Sequence, residues 1–374
     1  MENKTVAIYG AQGIALGTYE ALSAVSPETD IECFIVTSYD NNPKSLAGIP
    51  VLELGDYVER YSGNNRLENI KIIIATPEAV MDEIERSLLD NGIVDIERMD
   101  SERYSDIWKE YQAKKGDFRP VCSYPIVCDD NTRNDLTIFM ARYHKDKPLT
   151  RELERQDCFR EIQVGASNTS ERIKSFWDGR EIITDNVGDN ISAKNGNYSE
   201  LTALFWLWKN KVQKAGNDSG SYWGLCHYRR QLDIKPDELN ELGMRDIDVV
   251  LPFPLPYEPD INAHHKRYLS DADWSAVLAA LKELQPDYYH SLDEVFGNGY
   301  LYNYNLIIAK GSVLDDYCSW LFPILERVEQ LSSPKGSERS DRYIGYIAES
   351  LETLYFMKNR EKLRIAHAGC IYRM

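Results

Sequence analysis

The sequence predicts an α/β protein of two domains, the first built on a doubly wound parallel sheet. Three observations point there. Short apolar runs alternate with helix-period segments through the first hundred or so residues, the pattern blurs near residue 130, and strand and long-helix signals resume beyond it. Strands interleaved with helices make parallel sheets, because each crossover needs a helix to bring the chain back. At 374 residues the chain also exceeds one ordinary compact domain.

Residues 5–9 (TVAIY) read as a strand that stops at Gly10, and Ile14, Leu16, Tyr19 and Leu22 follow at helical spacing through residue 25. Residues 31–37 (IECFIVT) and 70–75 (IKIIIA) read as further strands. Thr76 and Pro77 supply a cap and a first-turn proline for the next helix, and Gly92 is placed to end it. Between about Tyr111 and Asp135 the segments KKGDFRP, SYP and DDNTRND break the pattern, so the boundary is set near residue 130, giving domains 1–130 and 131–374. In the second, 247–252 (IDVVLP) and 304–309 (YNLIIA) read as strands. Val313, Leu314, Tyr317, Trp320, Leu321, Ile324, Leu325 and Val328 form one apolar stripe, hence a core helix. Ile344, Ile347, Leu351 and Leu354 mark the buried side of a last helix. Its other side, with Arg342, Tyr346 and Glu349, reads equally well as a solvated face.

Composition narrows the function. A formal charge of −17 argues against a broad grip on nucleic-acid phosphates while leaving room for a local basic pocket. Seven scattered cysteines, never spaced Cys-x-x-Cys, suggest neither a disulfide framework nor a structural zinc site. No run approaches the roughly 20 apolar residues that span a bilayer, and MENKTVAIYG lacks a signal-peptide core, so a cytoplasmic location is expected.

Four segments offer chemistry. Gly10, Gly13 and Gly17 lie where a strand hands over to a helix, a place where backbone amides can meet a phosphate. Their spacing is not Gly-x-Gly-x-x-Gly, and plain strand–helix packing explains them as well. Residues 185–210 (DNVGDNISAKNGNYSELTALFWLWKN) begin as a polar loop in which Asp189, Asn190, Ser192 and Lys194 suit a sugar or ribose. Asn197 and Glu200 fit a capping box there, while Glu200 is also a candidate ligand group. In YWGLCHYRRQLDI (222–234) an apolar run ends in His227, Tyr228, Arg229 and Arg230. Guanidinium forks at a strand end suit a diphosphate, with ordinary ion pairing as the bland alternative. The last helix adds Glu349.

The N-terminal hundred residues, through IYGAQG, DNNPKSLAGIPVLEL and IIIATPE, resemble the small Rossmann-like domain that precedes sugar acyltransferases and other polysaccharide-synthesis enzymes. The second half, from about Thr137 to Tyr355, resembles the bacterial capsular and exopolysaccharide glycosyltransferases long filed as a domain of unknown function. The resemblance rests on His144-Lys145, EIQVGA, GDNIS, ELTALFWLWKN, GLCHYRR, Asn305, YCSWLF and GYIAESL. It implies a GT-A-like, nucleotide-sugar-binding α/β domain. Where such domains often hold an Asp-x-Asp metal motif, this chain has His227 to Arg230, so arginine neutralisation stands beside a divalent ion, with Asp233 close in sequence.

The resemblance implies transfer of a sugar, with a galactose-type sugar as one candidate, from a nucleoside-diphosphate donor, UDP foremost, to a lipid-linked or oligosaccharide acceptor. Donor binding falls to His144, Lys145, Asp189, Asn190, Ser192, Lys194, Glu200 and Asn305, with Arg229 and Arg230 on the diphosphate. Base candidates are Glu349, Glu200 and His227, in that order. Lys358, Arg360, Lys362, Arg364 and Arg373 offer peripheral contact with anionic headgroups, against ordinary helix-end charge. Two rivals stay open. One is an NAD(P)-dependent nucleotide-sugar oxidoreductase or epimerase, using the glycines and the Tyr111–Lys115 spacing. The other is a noncatalytic sugar-binding scaffold, stacking sugars on Trp206, Trp208, Tyr300, Tyr302 or Tyr304.

Overall fold

The computed structural model describes residues 5–62, 70–127, 135–149, 156–177, 179–216, 220–333, 336 and 341–373. The chain forms an α/β fold of two compact units, Met1–Asp117 with Leu255–Pro259, and Phe118–Pro254 with Asp260–Met374. The division falls at Asp117, earlier than the expected residue 130, which lies outside the described residues. Phe118 packs on His367 with ring centroids 5.3 Å apart, and the His367 N–H donates to the Arg119 carbonyl, so the second unit claims the chain from there.

The first unit is a sheet in the order Ser45–Leu46, Ile49–Glu53, Ile31–Val36, Thr5–Tyr9, Ile70–Ile74, Asp95–Arg98. All neighbours are parallel except the Ser45–Leu46 hairpin. Ala7, Tyr9, Cys33, Ile35, Ile72 and Ile74 bury against Tyr57, Tyr61, Met81, Ile84 and Leu88 on one face. On the other face Phe34 meets Tyr19 of the helix Gly13–Val25, so the sheet is doubly wound as expected. Sequence pattern missed Asp95–Arg98, an edge strand whose residues are only partly buried and largely polar. The helix after Pro77 starts as a 3₁₀ turn, Glu78–Val80, continues as Met81–Asp90, and ends at Gly92 with φ +81°.

The second unit's sheet runs Arg230–Asp233, Ile365–Tyr372, Val249–Pro252, Ile307–Lys310, Tyr222–His227, Leu136–Arg142, Phe159–Gln163, Ile183–Thr184. The last four strands of that order are parallel, so Arg142, Gln163 and His227 all emerge at one edge. A tight turn pairs His227 with Arg230, and Arg230–Asp233 then pairs with Ile365–Tyr372. The sheet thereby curls back on itself and holds Arg229 and Arg230 beside that edge. The expected strands shorten to Val249–Pro252 and Ile307–Lys310. Tyr304 and Asn305, read as strand, instead take φ of +79° and +50°. The apolar stripe forms the core of the helix Gly311–Leu331, and the last helix spans Tyr343–Lys358.

Gly224 sits in the strand that delivers His227. A Cβ there would lie 2.9 Å from Ile308 Cγ1, 3.0 Å from the Ile307 carbonyl and 3.2 Å from Ile138 Cγ1. Gly224→Ala is expected to cost about 1–3 kcal/mol by overpacking. Chemical denaturation measures it, and an unchanged midpoint contradicts the close approach.

Candidate functional site

At the strand edge a pocket of ≈ 50 Å³ is lined by Ala141, Arg142, Tyr143, Asp146, Val164, Asn195, Ser199, Glu200, His227, Tyr228, Arg229, Arg230 and Arg342. Four arginines face two carboxylates in that lining, the reverse of the balance over the whole chain. The four arrive by three routes. Arg142 ends one parallel strand, Arg229 and Arg230 occupy the turn after another, and Arg342 precedes the helix Tyr343–Lys358. Arg142 is paired with the buried Glu161 and Arg342 with the buried Glu200, so among the described residues the uncompensated positive charge of the lining is chiefly that of Arg229 and Arg230.

Glu200 is its hub. Only 5% exposed, it accepts from Asn305 Nδ2 at 2.7 Å, lies 3.6 Å from His227 Nε2 and pairs with Arg342 Nη2 at 3.5 Å. Burial works to raise its pKa, but His227, Arg342 and the Asn305 bond outweigh it and hold the carboxyl below the usual carboxylate range. The backbone is bent to serve these contacts. Ser199, Tyr304 and Asn305 all have positive φ, a conformation that costs non-glycine residues about 1–3 kcal/mol each and clusters at functional sites. His227 Nε2 lies 3.0 Å from the Tyr304 carbonyl, which can only accept, so Nε2 bears a hydrogen and Nδ1 is the basic ring atom. Asn305 Oδ1 is buried without a partner among the described residues.

Arg230 stacks over Tyr304, 4.3 Å from the ring centroid, and over Tyr372 at 5.2 Å. Glu349 is partly accessible, yet its pKa is pushed up to about 8, first by burial and then by the Glu200 charge. The Tyr304 N–H, Arg230 and Arg342 pull the other way. One turn on, Glu352 is buried, its Oε2 lacks a partner among the described residues, and burial raises its pKa well above the usual range.

The structure thus gathers Glu200, His227, Arg229, Arg230, Asn305 and Glu349 in one neighbourhood. It does not bring the 189–194 loop to them. Ser192 Oγ is buried, donating to Asp185 Oδ1 at 2.5 Å and accepting from the Ser167 N–H. Asn190 closes its own turn, accepting from the Ser192 N–H, and the Asp189 backbone is tied to Asn210. Lys194 pairs with Glu329 at 2.5 Å. Those polar groups satisfy one another. The capping box does not form either: Asn197 Nδ2 donates to the Gly336 and Asp341 carbonyls, and Glu200 makes no cap bond.

His144 lies against Tyr143 with ring centroids 4.2 Å apart, whereas Lys145 is exposed outside the lining. In the first unit Gly10 has φ +128° and a Cβ there would sit 2.5 Å from the Ala75 carbonyl; one on Gly17 would strike Tyr104 and Trp108. Gly13 is likewise tight against Pro256 and Tyr257, so packing accounts for all three. Tyr111, of the Tyr111–Lys115 spacing, is buried within the helix Ser101–Lys115; in the other unit Trp206, Trp208 and Tyr302 are buried, so these three offer no stacking surface. Of the C-terminal basic residues, Lys358 holds Ser291 and Arg364 pairs with Asp246. Arg142, Tyr143 and Asp146 escaped the sequence reading, and Tyr304 was read only as a strand residue or a stacking surface. The strand-end argument that found His227 would have found Arg142.

Glu349 makes a pH prediction. Its folded pKa is raised from 4.5 to about 8, so the native state keeps a proton that the unfolded chain releases. Stability from this group is complete below the unfolded pKa and erodes as pH climbs towards the folded one. Glu349→Gln cannot ionise and escapes the loss. Its melting temperature, relative to the parent, is expected to rise between about pH 5 and about pH 9. A gap that is flat across that range contradicts the raised pKa.

Among the described residues no group of three or more His, Cys, Asp or Glu side chains is arranged to hold a metal ion, and no helix is long and apolar enough to cross a membrane. No curated protein matches the sequence. The chain is similar to the solved apo structure of WbbM, a bifunctional glycosyltransferase, with TM-score 0.52 and 24% identity. The match covers 64% of this chain and 45% of that one, so this chain spans under half of that protein's length, and the likeness is one of fold. Residues 138–360 match the model of a domain of unknown function, DUF4422, and enclose every residue that lines the pocket. The chain is a member of the DUF4422 family.

Proposed function

We propose that this protein is a glycosyltransferase that moves a sugar from a nucleoside-diphosphate donor to a saccharide acceptor. The observation that carries the proposal is the four-arginine pocket at the carboxyl ends of parallel strands, the place where open α/β sheets take their ligands. The fold likeness to a named glycosyltransferase and the sequence resemblance both favour this reading. In it, the second unit is a GT-A-like catalytic domain covering most of the chain beyond residue 130, and the Rossmann-like first unit assists it. The donor is UDP-linked, with a galactose-type sugar, and the acceptor is a lipid-linked or oligosaccharide chain of capsular or exopolysaccharide synthesis, met at the inner face of the cell membrane.

Arg229 and Arg230 bind the diphosphate, while Arg342 and Arg142 line the same pocket already paired with Glu200 and Glu161. As the bond between the anomeric carbon and the phosphate oxygen breaks, its electron pair leaves with the diphosphate, and fixed guanidinium charge stabilises it. An acceptor hydroxyl forms the new bond and gives up its proton. Glu200 is tied to three partners and serves as an anchor. Glu349, with a pKa near neutrality, is the better base, and His227 Nδ1 is the second choice. His144 and Tyr143 flank the nucleotide end. Whether a divalent ion shares the neutralisation is read directly by chelation.

Nucleoside-diphosphate release from a panel of nucleotide sugars, with and without EDTA, tests the reading. With an accepted donor, Arg229→Ala or Arg230→Ala is expected to cut turnover by about a hundredfold or more while the fold persists by circular dichroism. Near-parental turnover in both variants means the diphosphate role is wrong.

A further inference from the structure

From Arg342 an aromatic file leads away from the pocket towards solvent. The Arg342 guanidinium lies 5.8 Å from the Tyr346 ring centroid, one helical turn along. Tyr346 meets Tyr268 with centroids 5.2 Å apart and planes at 35°. Tyr268 in turn meets His264 at 5.1 Å. Tyr268 is 53% exposed, so part of its ring faces solvent while two other rings brace it. Glu349, the next residue but two after Tyr346 on the same helix, lies at the junction. Its charge bears on the Tyr268 phenol on one side and on the Arg230 guanidinium on the other.

We propose that Tyr268, backed by Tyr346, is the platform on which the acceptor saccharide stacks, one step beyond the diphosphate pocket with Glu349 between. The proposal rests on the glycosyl-transfer reading and extends it to the second substrate. The chemistry fits a sugar. A pyranose presents a patch of C–H groups on its face and hydroxyls around its rim. A half-exposed tyrosine ring buries the patch while the rim stays wet, and the phenol adds a hydrogen bond. Burial and the Arg267 charge hold His264 down to about 4, so the imidazole behind the ring carries no charge, and the charges that act on the Tyr268 phenol, Arg267 and Glu349, are of opposite sign. A phosphate would prefer the arginines; an uncharged sugar has reason to prefer the tyrosines. Position is what makes the site useful. Tyr346, which backs the platform, and Glu349 lie three residues apart on the helix Tyr343–Lys358, so a sugar seated on Tyr268 is held within a helical turn of that carboxyl.

Saturation-transfer NMR on the full chain tests this, using the methyl glycosides of glucose, galactose, mannose and N-acetylglucosamine as probes. At least one is expected to receive saturation on its ring C–H protons, and to keep it when UDP is present in excess. Tyr268→Ala is expected to weaken that binding by about tenfold, and Tyr268→Phe to retain most of it. Because Tyr268 is half exposed, its truncation leaves the fold intact, which the melting curve verifies. No signal from any glycoside, a signal unchanged in Tyr268→Ala, or displacement of the glycoside by UDP would overturn the platform. A UDP-induced melting shift, measured on the same sample, separates the two readings. With that shift present and the glycoside signal absent, only the platform falls. With a Tyr268-dependent glycoside signal and no shift, the platform stands and the donor reading falls.

Discussion

Everything around the pocket depends on keeping one carboxylate charged inside the protein. An uncompensated buried charge is costly enough that the group ordinarily takes up a proton instead. Glu200 stays ionised because three distant segments converge on it: Asn305 from a loop, His227 from a strand end and Arg342 from a helix start. The left-handed backbone at Tyr304 and Asn305 is the local cost of that convergence. It also aims the Tyr304 carbonyl at His227 and its N–H at Glu349. Breaking any one partner would unsettle the others, since all share one charge. Burial, and after it the same anion, raise the pKa of Glu349, so the charge held on Glu200 favours a proton on its neighbour.

Much of the fold was legible in the sequence because period and punctuation were strong. Apolar runs, the Thr76-Pro77 start and the Gly92 stop located strands and a helix to within a few residues. Asp95–Arg98 was hidden because an edge strand need not be apolar. The Tyr304–Asn305 kink was hidden because apolar pattern does not report the sign of φ.

The site was half legible for a related reason. His227, Arg229 and Arg230 stood out because abrupt charge after an apolar run marks a strand end. The 189–194 loop misled because hydrogen-bonding groups in a loop satisfy one another as readily as a ligand: Ser192 and Asn190 do so here. Arg342 looked like part of a solvated face, since helical spacing cannot say what a polar side opposes. Glu200 and Asn305, 105 residues apart in sequence, meet only through the tertiary fold.

The central claim is that the arginine pocket of the second unit, not the glycine turn of the first, receives a nucleotide phosphate. The most direct measurement is the melting temperature of the whole protein titrated with UDP, alongside NAD and NADP, and repeated with Arg230→Ala. Ligand at about one hundred times its dissociation constant stabilises the native state by roughly 2.7 kcal/mol, which shifts the transition by a few degrees. The account predicts a shift with UDP, none with either dinucleotide, and loss of the UDP shift in the variant. A shift with NAD or NADP that Arg230→Ala leaves intact, with none from UDP, would contradict it.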